Sequence, residues 1–359
     1  MAVIKVSVVI PVYNAKDYLH DCIKSLINQT LEECEFIFIN DGSTDNSFEI
    51  IESYQKIDSR IKLINQENEG IGEARNAGIE VAIGEYIGFL DNDDFLKIDF
   101  LENLYKNAIE RDLDILVSKT ILGRDGKYII KDHGFITDLI FTKDFIQEQI
   151  IPNLLKTEDL FAVWNKIYKR TFIFENNIRF PDNRVIEEDN IFNIQSFNKA
   201  KKVLFIDYAG YYYRDVADSK SRKIIENDYF SKALEKYYLD YKKEYSLSIS
   251  YEELEKLKAI RFIQRIFYLV YKCSVLKIPF KIKWDYIKNM VFHEKVYELS
   301  KNYDEEILQD KGLYERTLLK IITKKTSFLL VLLIFSIQIG YHPRISETIR
   351  KINKLTKKR

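Results

Sequence analysis

The run Val6 to Val12 (VSVVIPV) carries no charge and no polar alternation. That is the pattern of a strand covered on both faces. Such a strand needs helices above and below it, and the chain supplies them. Tyr18 to Ile27 follows with helical spacing of Leu19, Cys22, Ile23 and Leu26. Glu35 to Ile39 reads as a second strand. Ser43, Thr44 and Asp45 are good N-cap residues ahead of Phe48, Ile51 and Tyr54. Ile61 to Ile64, Tyr86 to Leu90 and Ile115 to Lys119 read as three more strands, interleaved with helices over Gly72 to Ala82 and Phe100 to Ile109. This β-α-β-α order predicts an α/β fold with a mostly parallel sheet and helices on both faces. Ligands of such sheets bind at the carboxyl ends of the strands. Most of the polar clusters named below lie there.

From Gly123 to about Asp228 the pattern is irregular, and short helices and strands are expected to cover the open edge. After Asp228 the chain turns helical, with Leu254, Leu257, Ile260, Ile263, Phe267 and Val270 on one stripe. The expected organisation is one domain over residues 1–225, with halves 1–120 and 121–225, and a helical region over 226–359. The segment 328–340 holds the apolar run FLLVLLIFSIQI, short of the ~20 residues that span a bilayer. Seven basic residues follow (Arg344, Arg350, Lys351, Lys354, Lys357, Lys358, Arg359) against one acid, Glu347. An apolar run beside a basic tail can seat a protein peripherally on the anionic inner leaflet. The alternative is a buried core helix followed by a solvated tail.

Charge and cysteine usage narrow the class. Fifty-five basic residues balance fifty-five acidic ones, so there is no global footprint for nucleic acid. Cys22, Cys34 and Cys273 have no metal-ligand spacing, and four scattered histidines draw no zinc site. The N-terminus has no basic region or small-residue cleavage site, so it does not read as a signal peptide. A cytoplasmic setting is the simplest expectation.

Four polar clusters can carry chemistry. Asp91-Asn92-Asp93-Asp94 follows the fourth strand, and carboxylates two apart on a turn can share a divalent cation that also binds a diphosphate. In isolation a D-x-D is more often a solvated turn. Asn40 to Asp45 (NDGSTD) follows the second strand, where Asp41 can accept a hydrogen bond from a nucleobase; a turn leading to an N-cap is the plain alternative. Asn68 to Gly78 (NEGIGEARNAG) permits close backbone approach, and Arg75 can meet a phosphate. It matches neither a dinucleotide fingerprint nor a P-loop. Glu187-Glu188-Asp189 precedes an apolar helical pattern. A helix dipole explains acids there, and one of them can serve as a general base.

In this order, Ser7 to Asn14, the NDGSTD and NEGIGEARNAG segments and Phe89 to Asp94 resemble the family 2 glycosyltransferases, inverting enzymes of GT-A fold that use nucleotide sugars. The resemblance continues through Trp164 to Arg170, Ile178-Arg179-Phe180 and Glu188-Asp189 to Tyr211 to Arg214, covering about residues 5–220. It implies that Pro11, Val12, Tyr13 and Asn14 line the nucleoside pocket, that Asp41 reads the uracil edge and that Ser43 supports the loop. Arg75 is implied at the ribose and diphosphate. Asp91 and Asp93, with Asn92 between them, are implied as the D-x-D pair holding Mn²⁺ or Mg²⁺, and Asp94 assists toward the sugar. Asp189 is implied as the base, with Glu188 competing. Trp164, Asn165 and Lys166 shape the donor-sugar and acceptor end.

The activity so implied is transfer of a hexose or N-acetylhexosamine from a nucleotide sugar, UDP-linked, to a glycan or lipid-linked glycan in surface-polysaccharide or capsule synthesis. One departure stands out. Some relatives complete the metal shell with a late histidine, and the matching stretch Tyr211 to Ser221 has none. Two other classes compete. A sugar-nucleotide-forming nucleotidyltransferase expects a glycine-rich basic loop after the first strand, where this chain has Pro11 to Asn14. A non-catalytic nucleotide-sugar-binding scaffold would not need the full set of acids.

Overall fold

The computed structural model describes residues 3–124, 127–181, 187–216, 224–309 and 311–341. The chain forms two compact units, residues 1–217 with 241–249 and residues 218–240 with 250–359. The sequence reading draws a single boundary, at residue 225.

The first unit is built on one sheet. Strands β1 (Val6–Val12), β2 (Cys34–Asp41), β3 (Ile61–Gln66) and β4 (Tyr86–Phe89) form a parallel block in the order β3-β2-β1-β4. Every residue of β1 and β2 is buried, as the unbroken apolar runs require. Helices α1 (Leu19–Ile27), α2 (Ser47–Gln55) and α3 (Ile71–Val81) make the crossovers. Helix α3 lies close on β1 because Gly78 has no side chain: a Cβ there would sit 2.3 Å from Val9 Cγ1.

The chain then runs through β5 (Phe95–Leu96), α4 (Phe100–Glu110), β6 (Ile115–Arg124), β7 (Lys127–Lys131) and β8 (Ile140–Phe141). Next come α5 (Lys143–Phe145), a π-turn at Ile146–Ile150 and α6 (Ile151–Lys156). Strand β9 (Lys166–Lys169), α7 (Arg170–Glu175), α8 (Glu188–Lys199) and β10 (Val203–Tyr213) complete the unit. The sheet order is β3-β2-β1-β4-β9-β6-β10-β5. β9 is antiparallel to both neighbours, whereas β6 and β10 are parallel. Four residues beginning and ending in lysine show no periodicity, so β9 had no strand signal.

In the second unit α9 (Tyr229–Tyr238) precedes α10 (Tyr241–Tyr245), which belongs to the first unit. Helices α11 (Tyr251–Val275), α12 (Phe280–Val291), α13 (Glu294–Asn302), α14 (Asp304–Leu308), α15 (Leu313–Lys324) and α16 (Ser327–Tyr341) follow. Ser250 caps α11, its side chain accepting from the Glu253 amide at 3.1 Å. The stripe from Leu254 to Val270 is buried throughout. Leu330 and Ile334 of α16 enter the same core. No described helix is long and apolar enough to cross a membrane. The basic tail from Arg344 onward lies outside the described residues.

Candidate active site

The carboxyl ends of β1, β2 and β4 are laced together by side chains. Asn14 takes a left-handed backbone (φ 51°), which asparagine tolerates. Its amide donates to Ser43 Oγ at 3.1 Å, and its Oδ1 accepts from the Thr44 amide at 2.8 Å. Asn92 Nδ2 donates to the Pro11 carbonyl at 2.8 Å, tying the acidic turn to the end of β1. Pro11 and Val12 are buried, while Tyr13 and Asn14 are exposed beyond them.

Asp41 sits at the end of β2 and is buried. Its Oδ1 accepts from Gln66 Nε2 at 2.8 Å and the Glu69 amide at 2.9 Å; its Oδ2 accepts from the Gly70 amide at 2.9 Å. The carboxylate thus anchors the loop that launches α3. Gly70 makes that turn with φ 89°, a conformation that costs glycine nothing.

Arg75, one turn into α3, is the hub. The residue is 1% exposed, and its guanidinium bonds three carboxylates: Asp91 at 2.9 Å, Asp189 at 2.5 Å and Glu188 at 3.2 Å. Its face lies over the Phe180 ring at 5.2 Å. Burial opposes its charge, and Asp189, Asp91 and Glu188 outweigh that and hold it protonated. The resemblance implies Arg75 at the ribose and diphosphate. In the structure its fork bonds three protein acids, two brought to it by α8 and one by the turn after β4.

Glu188 and Asp189 open α8, where the helix dipole favours negative charge. Glu187 ahead of them takes φ 60°, a strained left-handed value for a side chain of its size. Asp189 Oδ1 meets Arg75, and its Oδ2 accepts from the Val163 amide at 3.4 Å. Burial raises the Asp189 carboxyl to about 7; Arg75 opposes that rise, and Glu188 and Asp91 add to it. Lys166 fixes the segment that carries Val163. Its fully buried ammonium donates to the carbonyls of Leu160 (3.2 Å) and Ala162 and to Asn165 Oδ1 (3.0 Å). Burial lowers Lys166 to about 7. Asn165 Nδ2 in turn donates to the Ser118 carbonyl on β6 at 2.7 Å.

The acidic turn is not uniform. Asp94 is buried, accepting from Tyr211 Oη at 2.7 Å and from the Arg214 amide at 2.7 Å. Burial, then Asp91 and Asp93, raise its carboxyl well above the usual range. Each of its oxygens accepts one of these bonds, so Asp94 ties β10 to the turn. Tyr211 Oη also accepts from the Asp91 amide at 3.2 Å, and its ring stacks on Trp164 at 4.3 Å. Asp93 remains partly exposed, raised to about 6 by burial and then by Asp91.

Among the described residues no group of three or more His, Cys, Asp or Glu side chains converges on a cation position. Asp91 and Asp93 nonetheless fit a hard divalent ion. Ions of the Mg²⁺ kind are held by one or two carboxylates plus substrate phosphates and water. Burial raises the Asp93 carboxyl and the Asp91 charge adds to that rise; a cation held by the two would offset that charge.

The fold therefore brings Arg75, Asp91, Glu188 and Asp189 into one cluster, and sets Asn14, Ser43 and Asn92 in the adjoining loops. Trp164 and Lys166 enter as supports. The sequence reading gave no role to Tyr211, Val163 or Phe180. Tyr211 and Phe180 stood inside noted motifs, and an aromatic hydroxyl placed late in the chain was the available signal. Val163 acts through its amide, which no side chain announces.

Residues 7–184 match the model of "Glycosyl transferase family 2". The glycosyltransferase GlyG of Streptococcus pneumoniae is 30% identical over 214 residues, 58% of this chain and 70% of GlyG. The uncharacterized glycosyltransferase EpsJ of Bacillus subtilis is 34% identical over 214 residues, 60% of this chain. That match spans 62% of EpsJ, less than two thirds of its length. The crystal structure of S. aureus TarS 1-349 in complex with UDP-GlcNAc superposes with a TM-score of 0.61 at 21% identity, covering 94% of this chain and 93% of that one. The chain belongs to glycosyltransferase family 2 and has the GT-A fold.

Proposed function

We propose that the chain is an inverting glycosyltransferase that moves a hexose or N-acetylhexosamine from a UDP-linked donor to a hydroxyl of a glycan or lipid-linked glycan. The setting is surface-polysaccharide synthesis of the capsule type, on the cytoplasmic side of the membrane. The observation that carries this reading is the Arg75 cluster. One guanidinium ties the acidic turn, where a diphosphate would lie, to a buried carboxylate on α8. The complex of TarS with UDP-GlcNAc, on the same fold, supports a UDP-linked donor.

In this reading Pro11, Val12, Tyr13 and Asn14 take the nucleoside, with Asp41 and Ser43 fixing the loops around it. Asp91 and Asp93 hold Mn²⁺ or Mg²⁺, which when bound offsets negative charge on the departing diphosphate. Asn92 orients their turn. The acceptor oxygen attacks the anomeric carbon from the face opposite the nucleotide. Its proton passes to Asp189, and the electron pair of the breaking bond leaves on the diphosphate. A carboxyl raised to about 7 is matched to that proton at neutral pH. Glu188 is the neighbour that competes for the role.

The test is nucleoside diphosphate release from a panel of nucleotide sugars with and without Mn²⁺. Metal-dependent release from one UDP-sugar, abolished in Asp93→Ala and in Asp189→Asn, is expected. Calorimetry with UDP and Mn²⁺ that detects no binding overturns the donor assignment.

A further inference from the structure

We propose that the outward face of α16 docks on the surface of an anionic lipid bilayer. Helix α16 (SFLLVLLIFSIQIGY) is apolar around most of its circumference, with Ser336 the polar side chain on its outward face and Gln338 turned to α11. A helix of that kind is normally covered on all sides, and this one is covered on one. Leu330 and Ile334 lie in the core of the second unit, and Gln338 Nε2 donates to the Ser274 carbonyl on α11 at 3.0 Å. Phe328, Leu329, Leu332, Phe335 and Ile339 point the other way, from 45% exposed at Phe335 to 73% at Phe328. At about 100° per residue these five fall on one side of the helix, opposite Leu330 and Ile334. Phe280 of α12, itself 40% exposed, stacks on Phe335 at 5.3 Å and widens the patch.

Charge selects the occupant. Immediately beyond α16, residues 344–359 carry seven basic side chains against Glu347 alone. A second protein would need a matching acidic groove. A bilayer of anionic lipids offers both a negative surface and an apolar layer beneath it, each within reach of a helix lying in the interface. Fifteen residues extend about 22 Å, less than the ~30 Å hydrocarbon core, so the helix lies on the membrane and does not cross it. This surface is separate from the transfer chemistry, and neither reading depends on the other.

Flotation of the full chain with phosphatidylcholine vesicles, with and without phosphatidylglycerol, tests the proposal. Binding to the phosphatidylglycerol vesicles, weakened by salt, is expected. Phe328→Glu with Leu332→Glu, and separately Lys354→Glu with Lys357→Glu and Lys358→Glu, should each weaken that binding at least about tenfold. The substituted side chains on α16 are exposed, so circular dichroism and the melting temperature should be unchanged. No flotation with phosphatidylglycerol vesicles overturns the proposal, as does flotation that both variants retain. A concentration-dependent dimer that Phe328→Glu with Leu332→Glu dissolves, without vesicle binding, would give the face to a second copy and overturn it too. Each of these readouts is independent of nucleoside diphosphate release.

Discussion

Replacing Arg75 by methionine removes the cation that, among the described residues, binds all three carboxylates of the cluster, while keeping most of the side chain's volume. Asp91 and Glu188 each keep about a quarter of their side-chain surface in water and can rehydrate. Asp189 keeps only 10% and cannot. Breaking a buried pair from one side costs about 3–5 kcal/mol. Only one of the three acids is stranded, so the lower end, about 3 kcal/mol, is expected near neutral pH. The pH dependence has a definite sign. A carboxyl raised in the folded state binds more protons there than in the unfolded chain, so stability falls as pH rises between the two values. In the native protein that fall runs from the ordinary carboxyl range to about 7. Without Arg75 the Asp189 carboxyl moves higher still, and the fall continues. The penalty of Arg75→Met should therefore grow above about pH 7 and shrink below it. Urea unfolding across that range measures it. Turnover should drop about a hundredfold, with the donor KM little changed, because Asp189 loses its orientation. A penalty that is flat or shrinks with rising pH refutes the burial argument. A donor KM that rises while turnover holds places Arg75 on the diphosphate instead.

Other substitutions probe the supports. Gly78→Ala inserts a methyl against Val9 and should cost about 1–3 kcal/mol; an unchanged unfolding midpoint would show that α3 and β1 separate freely. Asp94→Asn should cost about 1–3 kcal/mol through its bonds to Tyr211 and Arg214, yet leave Mn²⁺ binding by calorimetry intact, whereas Asp93→Asn should lose it. The reverse pattern would make Asp94 the ligand. Lys166 is lowered to about 7 from 10.5 by burial, so the unfolded chain binds its proton over that window and the folded one does not. Stability of the native protein should rise with pH across it relative to Lys166→Met, and parallel stability curves would show that Lys166 stays charged inside.

How far the sequence reaches follows from the range of each interaction. The first four strands were legible because a strand buried on both faces is a local composition, seen at Val6–Val12 without any partner. α11 was legible for the same reason, since one stripe of apolar residues declares a covered face. The D-x-D turn and the Glu188-Asp189 pair were legible as clusters, because acids at a strand end and at a helix start are short-range patterns.

The sequence by itself determined the α/β class, the strand ends where the polar clusters collect, and the family. Only the tertiary structure decided what each charged group faces. Arg75 and Asp189 are 114 positions apart and meet at 2.5 Å; Asp94 and Tyr211 are 117 apart and meet at 2.7 Å. No local pattern encodes such a pairing. The free energy of a buried charge depends on the partners that exclude water from it, and those partners arrive through packing of α3, α8 and β10. Likewise the sequence could say that α16 is apolar. Which of its faces is left outside was decided by where Leu330 and Ile334 found a core.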